Sequence, residues 1–164
     1  MQFIMNSLLE ISNYNNTDFL NIKGDYMCKV VRIFDGDTIV LLIDYPEDQC
    51  SKIHCRLSGI DCPEMSDKNL NIKKLAINAR NFLVNQITDL TIDIDDNSSY
   101  QVLNKKLEQN NKIFNCRIDD TDKYGRYLVN LFVDNQCINK LMVDSTHAVE
   151  YDGKTKKLFS ENSF

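Results

Sequence analysis

Three apolar-rich runs open the patterned part of the chain: YMCKVVRI at 26–33, TIVLLI at 38–43 and SKIHCRLS at 51–58. Their β-branched and aromatic content suits a pleated, half-buried surface. DGD (35–37) and DYPEDQ (44–49) separate them, and both separators carry the residues that turns favour. The pattern predicts a meander of three antiparallel strands. Over Asn69–Gln86 the period changes: Leu70, Leu75, Ile77, Ala79, Phe82 and Leu83 recur among polar residues at helical spacing. LTIDI (90–94) and KIFNCRI (112–118) read as strands, and the polar stretch between them as an exposed excursion with one or two helical turns. RYLVNLFV (126–133) is the last strong strand. Asn135 is expected to cap a short helix over 136–145, and KTKKLFSEN (154–162) to form a final one.

These elements predict a mainly β protein with helices, in the α+β class. The architecture expected is an OB-type, five-stranded antiparallel β-barrel with a central helix between strands three and four and short C-terminal helices. A looser α+β sandwich is the alternative. Residues 1–24 are expected to be a polar, asparagine-rich leader with one short helix near Ser7–Ile11, and residues 25–164 to be one domain, large enough to bury a core.

Composition narrows the function classes. The chain is 43% hydrophobic and 26% charged, as in ordinary globular proteins. No run approaches the roughly 18 apolar residues of a membrane span, and no secretory signal is visible at the N-terminus. An intracellular protein without membrane contact is expected. The net charge of −5 argues against attachment to nucleic acid through a broad basic surface, though not against a local basic cleft. Arginine is scarce, at positions 32, 56, 80, 117 and 126 only. The six cysteines include no C-x-x-C pair, which favours reduced, mostly buried thiols over a disulfide framework or a zinc site.

The meander's direction brings candidate chemistry together. Strand two starts at one end of the sheet, and strand three, antiparallel to it, finishes at that same end. Asp37, just before strand two, and Asp61, just after strand three, should therefore be neighbours. Arg56 lies beside them near the end of strand three. Glu64 follows in the same turn as Asp61, across a proline that restricts the backbone. Two or three carboxylates converging at a barrel rim make a hard-cation site suited to calcium, with water completing the shell.

Three segments in order, IFDGDTIVL (33–41), CRLSGIDCPE (55–64) and TDKYGRYL (121–128), resemble the blocks of the thermonuclease family, also called staphylococcal or micrococcal nuclease-like. With the C-terminal HAVEYDGKTKK, the likeness spans about residues 26–157. It implies an OB-fold enzyme that hydrolyses DNA or RNA phosphodiesters with calcium and little sequence preference, leaving 3′-phosphate ends. It further implies that Asp37 and Asp61 ligate calcium with the backbone carbonyl of Cys62, and that Arg56, Glu64 and Arg126 are catalytic. Tyr124, Tyr151 and Lys123 would contact the substrate.

Those residue types suit the reaction. Two arginine forks can donate paired hydrogen bonds to a phosphate whose charge grows as phosphorus gains a fifth oxygen. Glu64 would orient or deprotonate the attacking water, and tyrosine rings stack on any base. The Cys62 thiol has no evident basic partner and is expected to be a bystander. The alternatives are a non-catalytic nucleic-acid or protein binding module on the same fold, and a protein whose cysteines carry its function. A monomer acting on DNA or RNA is expected. The chain departs from familiar members of the family in its acidity, its six cysteines and an insertion near 96–112.

Overall fold

The computed structural model describes residues 22–45, 49–154 and Phe159. The meander is present as β1 (Gly24–Ile33), β2 (Thr38–Tyr45) and β3 (Gln49–Leu57), followed by a short β4 (Ile60–Asp61). After helix α1 (Leu70–Ile87) and helix α2 (Tyr100–Leu107) come β5 (Phe114–Thr121), β6 (Tyr127–Val133) and β7 (Gln136–Cys137). Helix α3 (Ile138–Asp144) and β8 (Val149–Glu150) complete the described elements. The helix expected near Ser7–Ile11 lies outside the described residues, as does the one over 154–162 apart from Lys154 and Phe159.

The strands run in the order β3-β2-β1-β5-β6, and β3 meets β6 to close a five-stranded barrel. That closing pair is parallel, Cys55 opposite Tyr127 through Leu57 opposite Val129; the other barrel pairs are antiparallel. Inward positions alternate along each strand: Ile39, Leu41 and Ile43 of β2 and Cys116 and Ile118 of β5 are buried in one core. Bulges between Val30 and Arg32 and between Ile118 and Asp120 bend the two strands that must curve most.

Helix α1 begins where the Asn69 side chain accepts a hydrogen bond from the Asn71 N–H at 2.9 Å. It buries Ile72, Ala76, Ala79, Leu83 and Ile87, while Leu70, counted in its periodic pattern, is exposed. Its polar side chains explain why LTIDI is not a strand. Asn85 bonds both the N–H and the carbonyl of Ile92, and Asn81 donates to the carbonyls of Asp93, Ile94 and Asp96. Side-chain amides of α1 take the backbone groups that a neighbouring strand would otherwise pair, so Leu90 and Ile92 pack against the core from a loop while Ile94 stays exposed.

The segment expected as an exposed excursion is part of the core. Helix α2 inserts Leu103 and Leu107 beneath β1. Burying each leucine contributes about 2 kcal/mol, which offsets the weakness of an eight-residue helix standing alone. Buried Arg80 of α1 donates to the carbonyls of Ser98 and Asp96, both at 3.0 Å, and Asn110 donates to the Val30 carbonyl. Asn135 does not cap α3. It and Asp134 take positive φ values of 65° and 50° in the tight turn between β6 and β7, and α3 starts after Cys137.

Candidate active site

A cleft of about 760 Å³ opens where the β1–β2 turn, the end of β3 and the β5–β6 turn meet. Asp37, Arg56, Asp61, Cys62, Glu64, Lys123, Tyr124, Arg126 and Tyr151 all line it. The nine residues singled out from the sequence thus face one space.

Register brings the charged group together. Thr38 pairs with Arg56 across β2 and β3, and the Leu57 N–H donates to the Asp37 carbonyl at 2.8 Å. The Arg56 guanidinium then spans the two aspartates: Nη1 donates to Asp37 Oδ1 at 2.7 Å, and Nη2 donates to Asp61 Oδ1 at 2.6 Å. Both carboxylates are buried. Asp37 also accepts from the Thr38 hydroxyl at 3.0 Å and, through Oδ2, from the Cys62 N–H at 2.8 Å. Burial, aided by the nearby Asp35 and opposed by Arg56, pushes the Asp37 carboxyl up to about 6. Burial likewise disfavours the Arg56 cation, but Asp37 and Asp61 outweigh it and hold its pKa above the usual value.

Gly36 permits this convergence. A Cβ there would stand 2.8 Å from Cys62 Sγ and 2.9 Å from the Ala79 side chain, so only glycine lets the β1–β2 turn approach α1 and the IDCPE segment. The Cys62 thiol is packed beneath that turn, and burial foremost, with Asp37 next, raises its pKa well above the ordinary value. A thiol so disfavoured as thiolate is a packing group rather than a nucleophile.

Asp61 is held from the C-terminal side. Ile60 and Asp61 pair with Val149 and Glu150, and the Tyr151 N–H donates to the Gly59 carbonyl at 2.9 Å. This carries the Tyr151 ring to within 5.9 Å of the Arg56 guanidinium. Arg126 has a counterpart: its guanidinium lies 5.7 Å from the Tyr124 ring, which is 73% exposed, and Lys123 Nζ lies 5.0 Å from the same ring. Each arginine of the cleft is therefore paired with one tyrosine, a contact of cation–π type. Glu64 stands exposed at the mouth, where it accepts a hydrogen bond from the Ser66 hydroxyl.

Asp122 is a residue that the sequence reading passed over. Its Oδ1 accepts from the N–H groups of Tyr124 and Arg126, and its Oδ2 accepts from Arg126 Nε at 2.7 Å. One carboxylate thereby shapes the turn and aims the arginine. Partial burial works against its charge, but these bonds prevail and hold its pKa below the usual value. The signal was present in TDKYGR, an acid four residues before the arginine. Asp35, Thr38, Asp152 and Lys154 also line the cleft.

The donor set has a definite chemistry. The buried Asp37 and Asp61 carboxylates offer hard oxygens, which could hold a calcium-type cation more readily than a soft metal. Among the described residues no three His, Cys, Asp or Glu side chains gather as a metal cluster, so a cation here would take further oxygens from water or substrate. All six cysteines are free thiols, four of them buried. No described helix is long and apolar enough to cross a membrane.

A protein of Methanocaldococcus jannaschii, itself described as uncharacterized, is 31% identical over 140 aligned positions, covering 75% of this chain and 56% of the relative. The chain thus spans little more than half the length of that relative. Residues 54–163 match the family described as staphylococcal nuclease homologue. The chain belongs to the staphylococcal nuclease homologue family.

Proposed function

We propose that the protein is a calcium-dependent nuclease that hydrolyses phosphodiester bonds of DNA or RNA with little sequence preference. The observation that carries this reading is the Asp37–Arg56–Asp61 cluster at the floor of a cleft that Arg126, Glu64 and two tyrosines complete. Asp37, Asp61 and the Cys62 carbonyl would hold the calcium. When bound, the ion supplies positive charge that polarises the phosphate and favours a water nucleophile.

The chain's own groups supply the rest. Arg56 and Arg126 approach the phosphate from two sides and donate to oxygens that gain charge in the transition state. Such a fork is not replaced by a lysine ammonium. Glu64 accepts the proton of the attacking water, or fixes that water in line. As the new P–O bond forms, the bond to the 5′ oxygen breaks, leaving a 3′-phosphate and a 5′ oxygen that takes a proton from solvent. Tyr124 and Tyr151 offer ring faces to bases of any identity, and Lys123 adds charge at the rim.

The test is cleavage of single-stranded DNA, duplex DNA and RNA at slightly alkaline pH with calcium, with magnesium and with chelator. Calcium-dependent cutting that Glu64→Gln slows by about a hundredfold or more supports the reading. Nucleic-acid binding without cutting, by a folded protein that binds calcium, would instead assign a non-catalytic binding module.

A further inference from the structure

We propose that the surface at the end of β1, where Phe34 stacks on Tyr100 of the inserted segment and Arg32 lies two residues before Phe34, is an accessory subsite for single-stranded nucleic acid. The proposal rests on the nuclease reading and extends its substrate track beyond the cleft.

Phe34 and Tyr100 are stacked, with ring centroids 5.1 Å apart and planes 16° from parallel, and each is more than a third exposed. Helix α2 does not need this contact to stay in place. Leu103 and Leu107 already anchor it in the core, and Arg80 and Asn110 hold the chain on either side of it. The stack adds modestly to the stability of the fold, and the exposed part of each ring stays open to water. It offers a nucleobase a flat partner.

The charge beside it has the matching sign. Arg32 near the end of β1 and Phe34 just beyond it flank buried Ile33, so alternation turns both away from the core. Four of the five arginines are committed. Arg56 pairs with Asp37 and Asp61, Arg117 with Asp25 and Arg126 with Asp122, while Arg80 bonds Asn81 and the carbonyls of Asp96 and Ser98. Arg32 forms no ion pair among the described residues and bonds only its neighbour's carbonyl, Nη1 to Val31 O at 2.7 Å. In an acidic protein, an arginine with no ion pair among the described residues, two positions from an exposed aromatic pair, is fitted to a phosphate and the base attached to it.

Position links this face to the cleft. Phe34 is followed directly by Asp35, a wall of the cleft, and its N–H donates at 2.9 Å to the carbonyl of Thr38, another wall. Tyr124 lines the same cleft from the β5–β6 turn. On the proposal, a strand whose scissile phosphate sits over Arg56 would continue past Asp35 to the Phe34–Tyr100 stack. The occupant is single-stranded, because bases within a duplex have no free ring face to offer.

The experiment compares fluorescein-labelled oligothymidylates of about four and about sixteen nucleotides, lengths that bracket one binding surface of this size. Binding is read by anisotropy in chelator, and cleavage is read in calcium. Tyr100→Leu keeps an apolar helix former, and Arg32→Gln touches no core packing, so at least one variant stays folded. Each should weaken binding of the longer oligomer about tenfold and raise its KM similarly, with the shorter oligomer unaffected. Folded variants that treat both lengths as the wild type does would overturn the subsite, as would a wild type that binds both lengths equally or neither. A wild type that cuts nothing yet shows the length-dependent binding loss would refute the nuclease reading and leave the subsite standing.

Discussion

At the residue scale, one guanidinium holds two buried acids, and one acid aims the second guanidinium. The Arg56 bridge explains how Asp37 and Asp61 lie side by side in a buried floor without separating. Removing Arg56 would leave like charges close together in a poor solvent for charge. Asp122 is a positioning residue for Arg126. Asp122→Asn keeps one acceptor for the turn but presents an amide that cannot serve both the backbone N–H groups and Nε. We predict a roughly tenfold fall in kcat with KM little changed, the loss of one charge-assisted bond. Partial recovery in Asp122→Glu would separate aiming from folding. Titration of Asp37 gives a further check. With its carboxyl pushed up to about 6, protonation competes with a cation below that pH, so calcium affinity should fall progressively as pH drops through 6. Calorimetric titration from pH 8 to 5 reads this directly, and in Asp37→Asn the affinity should be weak throughout.

At the element scale, much was legible and the misses share a cause. Alternating apolar residues and turn chemistry gave the meander, and the ends of its strands gave the meeting of Asp37, Arg56 and Asp61. Period could not reveal the fate of 90–112, because that region is organised by side chains on another element. Asn81, Asn85 and Arg80 look like polar residues of an amphipathic helix. They are buried or partly buried donors that clasp the following loop. Likewise Asn135 has the side chain of a cap but the left-handed backbone of a turn. Arg80→Leu should therefore do more than remove a charge. It leaves the Ser98 carbonyl without its donor and the Asp96 carbonyl with Asn81 alone, a cost of about 1–3 kcal/mol. The midpoint in urea should drop accordingly, and hydrogen exchange should quicken first between residues 93 and 107.

At the scale of the whole molecule, the acidic surface and the cleft divide the work of recognition. A net charge of −5 gives no long-range attraction for nucleic acid, so on the proposed function binding would come from a few placed groups: Arg56, Arg126 and Lys123 in the cleft, and Arg32 beyond it. The barrel sets those groups because three connections converge at one rim, while α1 and α2 close the core behind them. The segment that departs most from the familiar pattern, 96–112, is bound into that core rather than appended to it, and so can carry Tyr100 as a rigid part of the surface. The fold and the convergence of site residues could be read from sequence. The clasp, the aim of Arg126 and the aromatic stack required coordinates, since each depends on partners distant in sequence or on a side chain's direction.

The central claim is that this cleft hydrolyses phosphodiesters with calcium. Its most direct measurement is the single-turnover cleavage rate of single-stranded DNA, with calcium and then with chelator, for the wild type and for Glu64→Gln. The account predicts rapid cutting by the wild type in calcium only, 3′-phosphate products, and a rate lower by about two orders of magnitude or more in a folded Glu64→Gln protein. Equal rates in the two proteins, or cutting that persists undiminished in chelator, would contradict it.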